Sequence, residues 1–208
     1  MDRISDKKSF VSSMKFTWGA VAYFSHEHED EREWDILGSA AALLEHGNTT
    51  RLPTFASKQE SPDFMLYDSS RLLIAGCEVT EVLRPGYRRH SFHKDAVFKP
   101  PGFQHGIPES IDNQWEPLTK LLRKKALRPY ISDSWLLVYY DIGMLETDDW
   151  DTPFQERLLA ELELNQLQMA EEEYKRFHRI LILSPNMKSL TEIYPNPNHI
   201  AELINEDS

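Results

Sequence analysis

The chain has one cysteine, Cys77, in 208 residues. That excludes an intrachain disulfide framework and any cysteine-rich zinc site. It has no apolar run of transmembrane length, and Met1 to Phe10 is too polar for a secretory signal; no membrane partner and a cytoplasmic location are therefore expected. Its glycines form no glycine-rich phosphate loop of the P-loop or Rossmann type, and no internal repeat is visible. Positive charge is short as well, with 23 Lys and Arg against 34 Asp and Glu, a net charge of −11. This balance argues against tight sequence-independent binding to nucleic acid, whose affinity comes largely from Lys and Arg on phosphates.

What is present reads as an ordinary globular chain. Hydrophobic content of 40% and aromatic content of 11% exclude a disordered composition, and the length suits one domain over residues 1–208 with a sizeable core. The charges are also unevenly spread. Arg84, Arg88, Arg89, Lys94 and Lys99, with His90 and His93, follow soon after Glu81, and Arg123, Lys124, Lys125 and Arg128 form a second basic group. The acids gather at Glu27 to Glu33 and from Glu146 to Glu173. A basic strip beside an acidic site suits a phosphodiester substrate; ordinary solvated charge is the other reading.

The most informative stretch is Ser61-Pro62-Asp63-Phe64-Met65-Leu66-Tyr67, then Asp68-Ser69-Ser70, then Arg71 through Val82. Two apolar, β-favouring runs around an Asp-Ser-Ser turn predict a hairpin. Pro62 lacks the N–H of a central ladder, so it opens the first strand. Side chains alternate along a strand, which puts Glu78 and Thr80 on one face and turns Val79 and Glu81 to the other. The apolar context predicts a strand covered on both sides, where a carboxylate is costly unless paired, metal-bound or protonated.

Around the hairpin, Met14 to Phe24 reads as a strand or an apolar helix. Trp34, Leu37, Ala41 and Leu44 predict a helix from about Asp30 to Glu45, stopped by His46-Gly47-Asn48. Residues 48–61 read as a connecting loop, and the prolines between Arg84 and Asp112 bar long regular elements there. Leu118, Leu122 and Ala126 predict a helix between about Gln114 and Leu127, with Pro117 in its first turn and Lys120, Lys124 and Lys125 on its flanks. Ser134 to Asp141 reads as a strand buried on both faces. A helix from Thr152-Pro153 to about Leu167 and a strand from Phe177 to Leu183 predict a further crossover, followed by a short helix near His199 to Ile204.

Pro62-Asp63 followed by Glu78-Val79-Thr80 resembles the PD-(D/E)XK, or restriction-endonuclease-like, nuclease superfamily, in which Pro-Asp opens one strand and acid-x-Lys lies on the next. The resemblance covers about residues 30–141 and departs at Thr80, which stands where the lysine belongs. It implies an α/β fold with an α-β-β-β-α-β core, a mixed central sheet flanked by helices, and here a C-terminal helix–strand extension over about 142–208. The third core strand then falls in residues 82–103, at Ala96-Val97-Phe98. It also implies Mg²⁺ (or Mn²⁺) held by Asp63 and Glu78 with the Val79 carbonyl, a catalytic set completed by Thr80 and by Lys125 replacing the strand lysine (Lys124 behind it), and Glu33 as an extra acid. Arg84, Arg88, Arg89, Lys94 and Lys124 become the nucleic-acid contacts, DNA the expected substrate, and a homodimer a compatible assembly.

Three functional readings stand at this point. One is a divalent-metal-dependent nuclease. Another is a catalytically inactive module on the same fold that binds a protein partner or nucleic acid, which Thr80 and the strong negative charge favour. The third is a purely structural hairpin in which Glu78 pairs with an arginine such as Arg123.

Overall fold

The computed structural model describes residues 1–23, 29–47, 52–82, 115–130, 133–140, 156, 160, 176–184, 187–194 and 198–202. Its centre is an eight-stranded sheet in sequence order: β1 (Asp2–Arg3), β2 (Phe55–Lys58), β3 (Phe64–Tyr67), β4 (Leu73–Val82), β5 (Ser134–Tyr140), β6 (Arg179–Leu183), β7 (Ser189–Tyr194) and β8 (Asn198–Glu202). The pairs from β1 to β4 are antiparallel, β4–β5 and β5–β6 are parallel, and β6–β7 and β7–β8 are antiparallel again. The helices are α1 (Ile4–Tyr23), α2 (Glu29–His46) and α3 (Trp115–Ala126).

The side-chain pattern explains the layers. Along β4, Ala75, Cys77 and Val79 join Trp135, Leu137 and Tyr139 of β5 in one apolar cluster with Trp34, Ile36, Leu37, Leu43 and Leu44 of α2. The alternate residues Val82, Leu136 and Val138 join a second cluster with Leu118, Leu122 and Ala126 of α3. A sheet covered on both faces needs strands apolar at nearly every position, and β4 and β5 are such strands. Acids Glu29, Asp30 and Glu31 occupy the first turn of α2, where they favour the helix dipole. At the hairpin turn Asp68 Oδ1 accepts the N–H of Ser70 and of Leu72, each at 2.9 Å. Arg71 takes a φ of 63° there.

Several expectations shift. The interval 48–61 contains β2, whose Ala56 pairs with Leu66. With β2 counted, the described elements α2, β2, β3, β4, α3 and β5 come in the order α-β-β-β-α-β. Ala96-Val97-Phe98 and the interval after Arg84 lie outside the described residues, as does most of the span assigned to the helix from Thr152. Of the two readings of Met14 to Phe24, helix holds as far as Tyr23, within α1. The expected C-terminal helix at His199 to Ile204 is instead β8, paired with β7 at Thr191↔His199. The sheet provides an open ladder there that a short, proline-flanked segment satisfies more completely than a one-turn helix does.

Candidate acidic site at the end of the third strand

Strand β4 runs past its partner β3. The ladder between them begins at Phe64↔Cys77, so Asp63, one residue earlier, stands opposite Glu78. Beyond this point the backbone of β4 has no β3 residue to pair with. The carboxylate of Asp63 fills the gap: Val79 N donates to Asp63 Oδ2 at 2.7 Å. The backbone of Asp63 is fixed as well, its carbonyl accepting the Gln59 N–H at 2.9 Å. An aspartate is therefore held where the sheet loses a strand.

Glu78 and Thr80 share the α3 face, with register partners Leu136 and Val138, and both are buried. A carboxylate in that cluster needs a counter-charge, and α3 supplies it. Leu118, Leu122, Lys125 and Ala126 lie along one buried stripe of the helix, at the spacing that faces one neighbour. Lys125 Nζ lies 2.6 Å from Glu78 Oε1. Arg128, just past the helix, adds a guanidinium at 3.4 Å from the same oxygen. The arginine that reaches Glu78 is thus Arg128, where the sequence had put forward Arg123.

Burial pushes the Asp63 carboxyl above its ordinary value; the Val79 N–H opposes this, the charge of Glu78 adds to it, and Lys58 and Lys125 oppose it again. Burial is thus the leading cause, and the repulsion between the two acids is opposed by two lysines. The same acids act on their neighbours. Cys77, directly beneath them, is pushed up by burial first and by Asp63 and Glu78 after it, which keeps it a neutral, unreactive thiol. The Tyr130 phenol is likewise raised by burial and then by Glu78, with Arg128 acting oppositely.

On the other face, Lys58 of β2 donates to Glu33 Oε2 and lies 3.4 Å from Asp30 Oδ1. Its ammonium is 4.6 Å from the centroid of the Phe64 ring, and Trp34 packs edge-on against that ring at 4.8 Å. Successive helix residues thus serve the same end of β3: Trp34 seats Phe64, and Glu33 holds the lysine beside it.

Of the residues expected at a site, Asp63, Glu78, Val79, Thr80 and Lys125 come together. Glu33 is present, engaged by Lys58. Lys124 is exposed on α3, and Arg84, Arg88, Arg89 and Lys94 lie outside the described residues. Sequence reasoning missed Lys58 and Tyr130 and gave Arg128 no role at the acids. Lys58 was hidden by the loop reading of 48–61. Arg128 lies in the turn just past the helix, its N–H bonded to the Lys125 carbonyl at 3.0 Å, a position that helix period does not assign.

Asp63 and Glu78 are the acids here that could hold a divalent ion. Among the described residues no group of three or more His, Cys, Asp or Glu side chains is placed to bind a metal. A pair of carboxylates with oxygen neighbours suits Mg²⁺, which takes one or two carboxylates and keeps several waters. Compared with family models, curated proteins and solved structures, the chain matches none.

Proposed function

We propose that the chain is a divalent-metal-dependent nuclease that hydrolyses phosphodiester bonds in DNA, built on a restriction-endonuclease-like core. The observation that carries this reading is the Lys125–Glu78 contact across from Asp63. It joins two acids and a lysine where the family pattern needs them, although Thr80 occupies the strand position. The α-β-β-β-α-β order from α2 to β5 supports the same assignment.

Asp63 and Glu78, with the Val79 carbonyl, would hold Mg²⁺ or Mn²⁺. When bound, such an ion offsets charge on a non-bridging phosphate oxygen and lowers the pKa of a coordinated water. The chain's own residues do the rest. Asp63 is oriented by the Val79 N–H. Lys125 supplies the positive charge that Thr80 cannot, from a dry helix face where a fixed ammonium is more effective than in water. The Thr80 hydroxyl, on the Glu78 face, is suited to orienting a water by hydrogen bonding. Hydrolysis adds that water to phosphorus and expels the alkoxide of the adjacent sugar, which leaves with a proton.

One observation favours a second reading, an inactive module of the same fold: Glu78 is met by Lys125 and Arg128, and Glu33 by Lys58, so protein cations already answer these acids. Titration calorimetry with Mg²⁺ and Mn²⁺ on wild type, Asp63→Ala and Glu78→Ala, beside plasmid cleavage, separates them. The nuclease reading expects metal binding and cleavage in the wild type and loss of both in either variant. Absence of binding in the wild type, or binding indifferent to both substitutions, leaves the inactive module.

A further inference from the structure

We propose that Lys58 is the substrate-facing cation of this site, contacting a non-bridging oxygen of the phosphodiester, and that Glu33 is the residue that positions it. This rests on the nuclease reading above and assigns roles that the Pro-Asp and acid-x-Lys pattern does not contain.

Two lysines act on Asp63, and they differ in exposure. Lys125 is 11% exposed and already 2.6 Å from a buried carboxylate. Moving it onto a substrate leaves Glu78 buried beside a single exposed arginine, a costly exchange. Lys58 is 29% exposed, so it reaches solvent without abandoning a buried partner. Its backbone is fixed by pairing with Phe64, next to Asp63, and the adjacent Gln59 N–H bonds the Asp63 carbonyl at 2.9 Å. Its side chain follows Phe64 onto the α2 face, at the strand end that carries Asp63, and its charge acts on the Asp63 carboxyl.

Its partners are unequal. Glu33 is 13% exposed and anchored on α2 beside Trp34, whose ring packs on Phe64. Asp30 is 75% exposed at 3.4 Å, a screened contact of little worth. A lysine has three N–H donors. Glu33 and the Phe64 face fix the side chain, and Asp30 occupies a donor that a phosphate oxygen can take over. The result is a preorganised cation at the strand end that carries Asp63, an arrangement that lowers the ordering cost of binding an anion.

This assignment also gives Glu33 a task other than metal binding. Its carboxylate holds the lysine, which in turn offsets the negative charge at Asp63. A substrate phosphate approaching Asp63 and Glu78 is repelled by both, and Lys58 at the Asp63 end, with Arg128 beside Glu78, counters this.

The test is anisotropy of a short fluorescein-labelled DNA duplex in Ca²⁺, which takes the same oxygen ligands as Mg²⁺, over a series of salt concentrations. Lys58→Met is expected to weaken binding about tenfold and to reduce the slope of log K against log[salt] by about 1. Lys58→Arg retains the charge and the slope, which separates charge loss from misfolding. Glu33→Gln is expected to weaken binding several-fold in the wild-type background and to change nothing when Lys58 is already Met. A Lys58→Met slope equal to wild type, or a Glu33→Gln effect that persists without Lys58, overturns the inference while the nuclease reading stands. Failure of the wild type to bind the duplex removes both.

Discussion

Glu78 and Lys125, 47 positions apart, meet at 2.6 Å between β4 and α3 with both side chains almost wholly buried. Neither residue tolerates that environment alone. Removing one partner of such a pair typically costs about 3–5 kcal/mol, whereas replacing both with apolar groups is often neutral. Lys125→Met and Glu78→Met should each lose about 3 kcal/mol in urea unfolding, Arg128 softening the first. The double variant should lose less than either single one. Additive losses would show that the two side chains are stabilised separately.

The pH response of Asp63 has a definite sign. Its folded-state pKa is raised above the ordinary value of 3.8, so this group favours the fold below that value, and the contribution is lost as pH rises through the folded pKa. Asn in its place keeps an oxygen for the Val79 N–H without the charge. Asp63→Asn should therefore melt above the wild type near neutral pH, with the gap shrinking as pH falls toward about 4. Added Mg²⁺ should raise the melting temperature of the wild type and leave the variant unmoved. Differential scanning fluorimetry across pH, with and without Mg²⁺, reads both effects.

These two residues also show how far the sequence could be read. Asp63 and Glu78 were legible because a proline, a turn and an acid in an apolar run are local signals. Lys125 was legible as a candidate through its place beside Leu118 and Leu122, since helix period alone predicts which positions share a face. β2 was not. Phe55-Ala56-Ser57-Lys58 is four residues long, follows a proline and owes its strand conformation to pairing with β3. The same holds for β7 and β8, which were read as irregular or helical; they complete the ladder beyond β6, a tertiary demand with no local pattern. Lys58 was lost with β2, and with it the reason for Glu33.

Gly38 marks where α1 lies closest to α2. A Cβ there falls 2.6 Å from the Lys8 Cβ and 3.0 Å from its Cγ and Cδ. The Lys8 Cβ is tied to the backbone and cannot swing aside. Gly38→Ala gains up to about 1 kcal/mol of helix propensity, but overpacking costs about 1–3 kcal/mol, so packing decides the sign. The expected outcome is a net loss of about 1 kcal/mol in denaturant unfolding, with faster proteolysis within α1. An unchanged or raised midpoint would mean that α1 shifts freely on α2.

Arg128 offers a test of the acid pair that does not disturb the core. Its side chain is 53% exposed and lies 3.4 Å from Glu78 Oε1, where it repels any divalent ion that the same oxygen holds. A partly exposed pair of this kind is worth at most about 1 kcal/mol, close to a fivefold change in a dissociation constant. Arg128→Met should therefore tighten Mn²⁺ binding up to about fivefold in calorimetry while barely changing the unfolding midpoint. The direction is the informative part. If Glu78 is only a structural partner of α3, removing the arginine has no reason to create or strengthen metal affinity, and the titration should be flat. If Glu78 binds the ion, the loss of a competing cation must strengthen binding, and that gain should disappear when Asp63 is also changed to Ala.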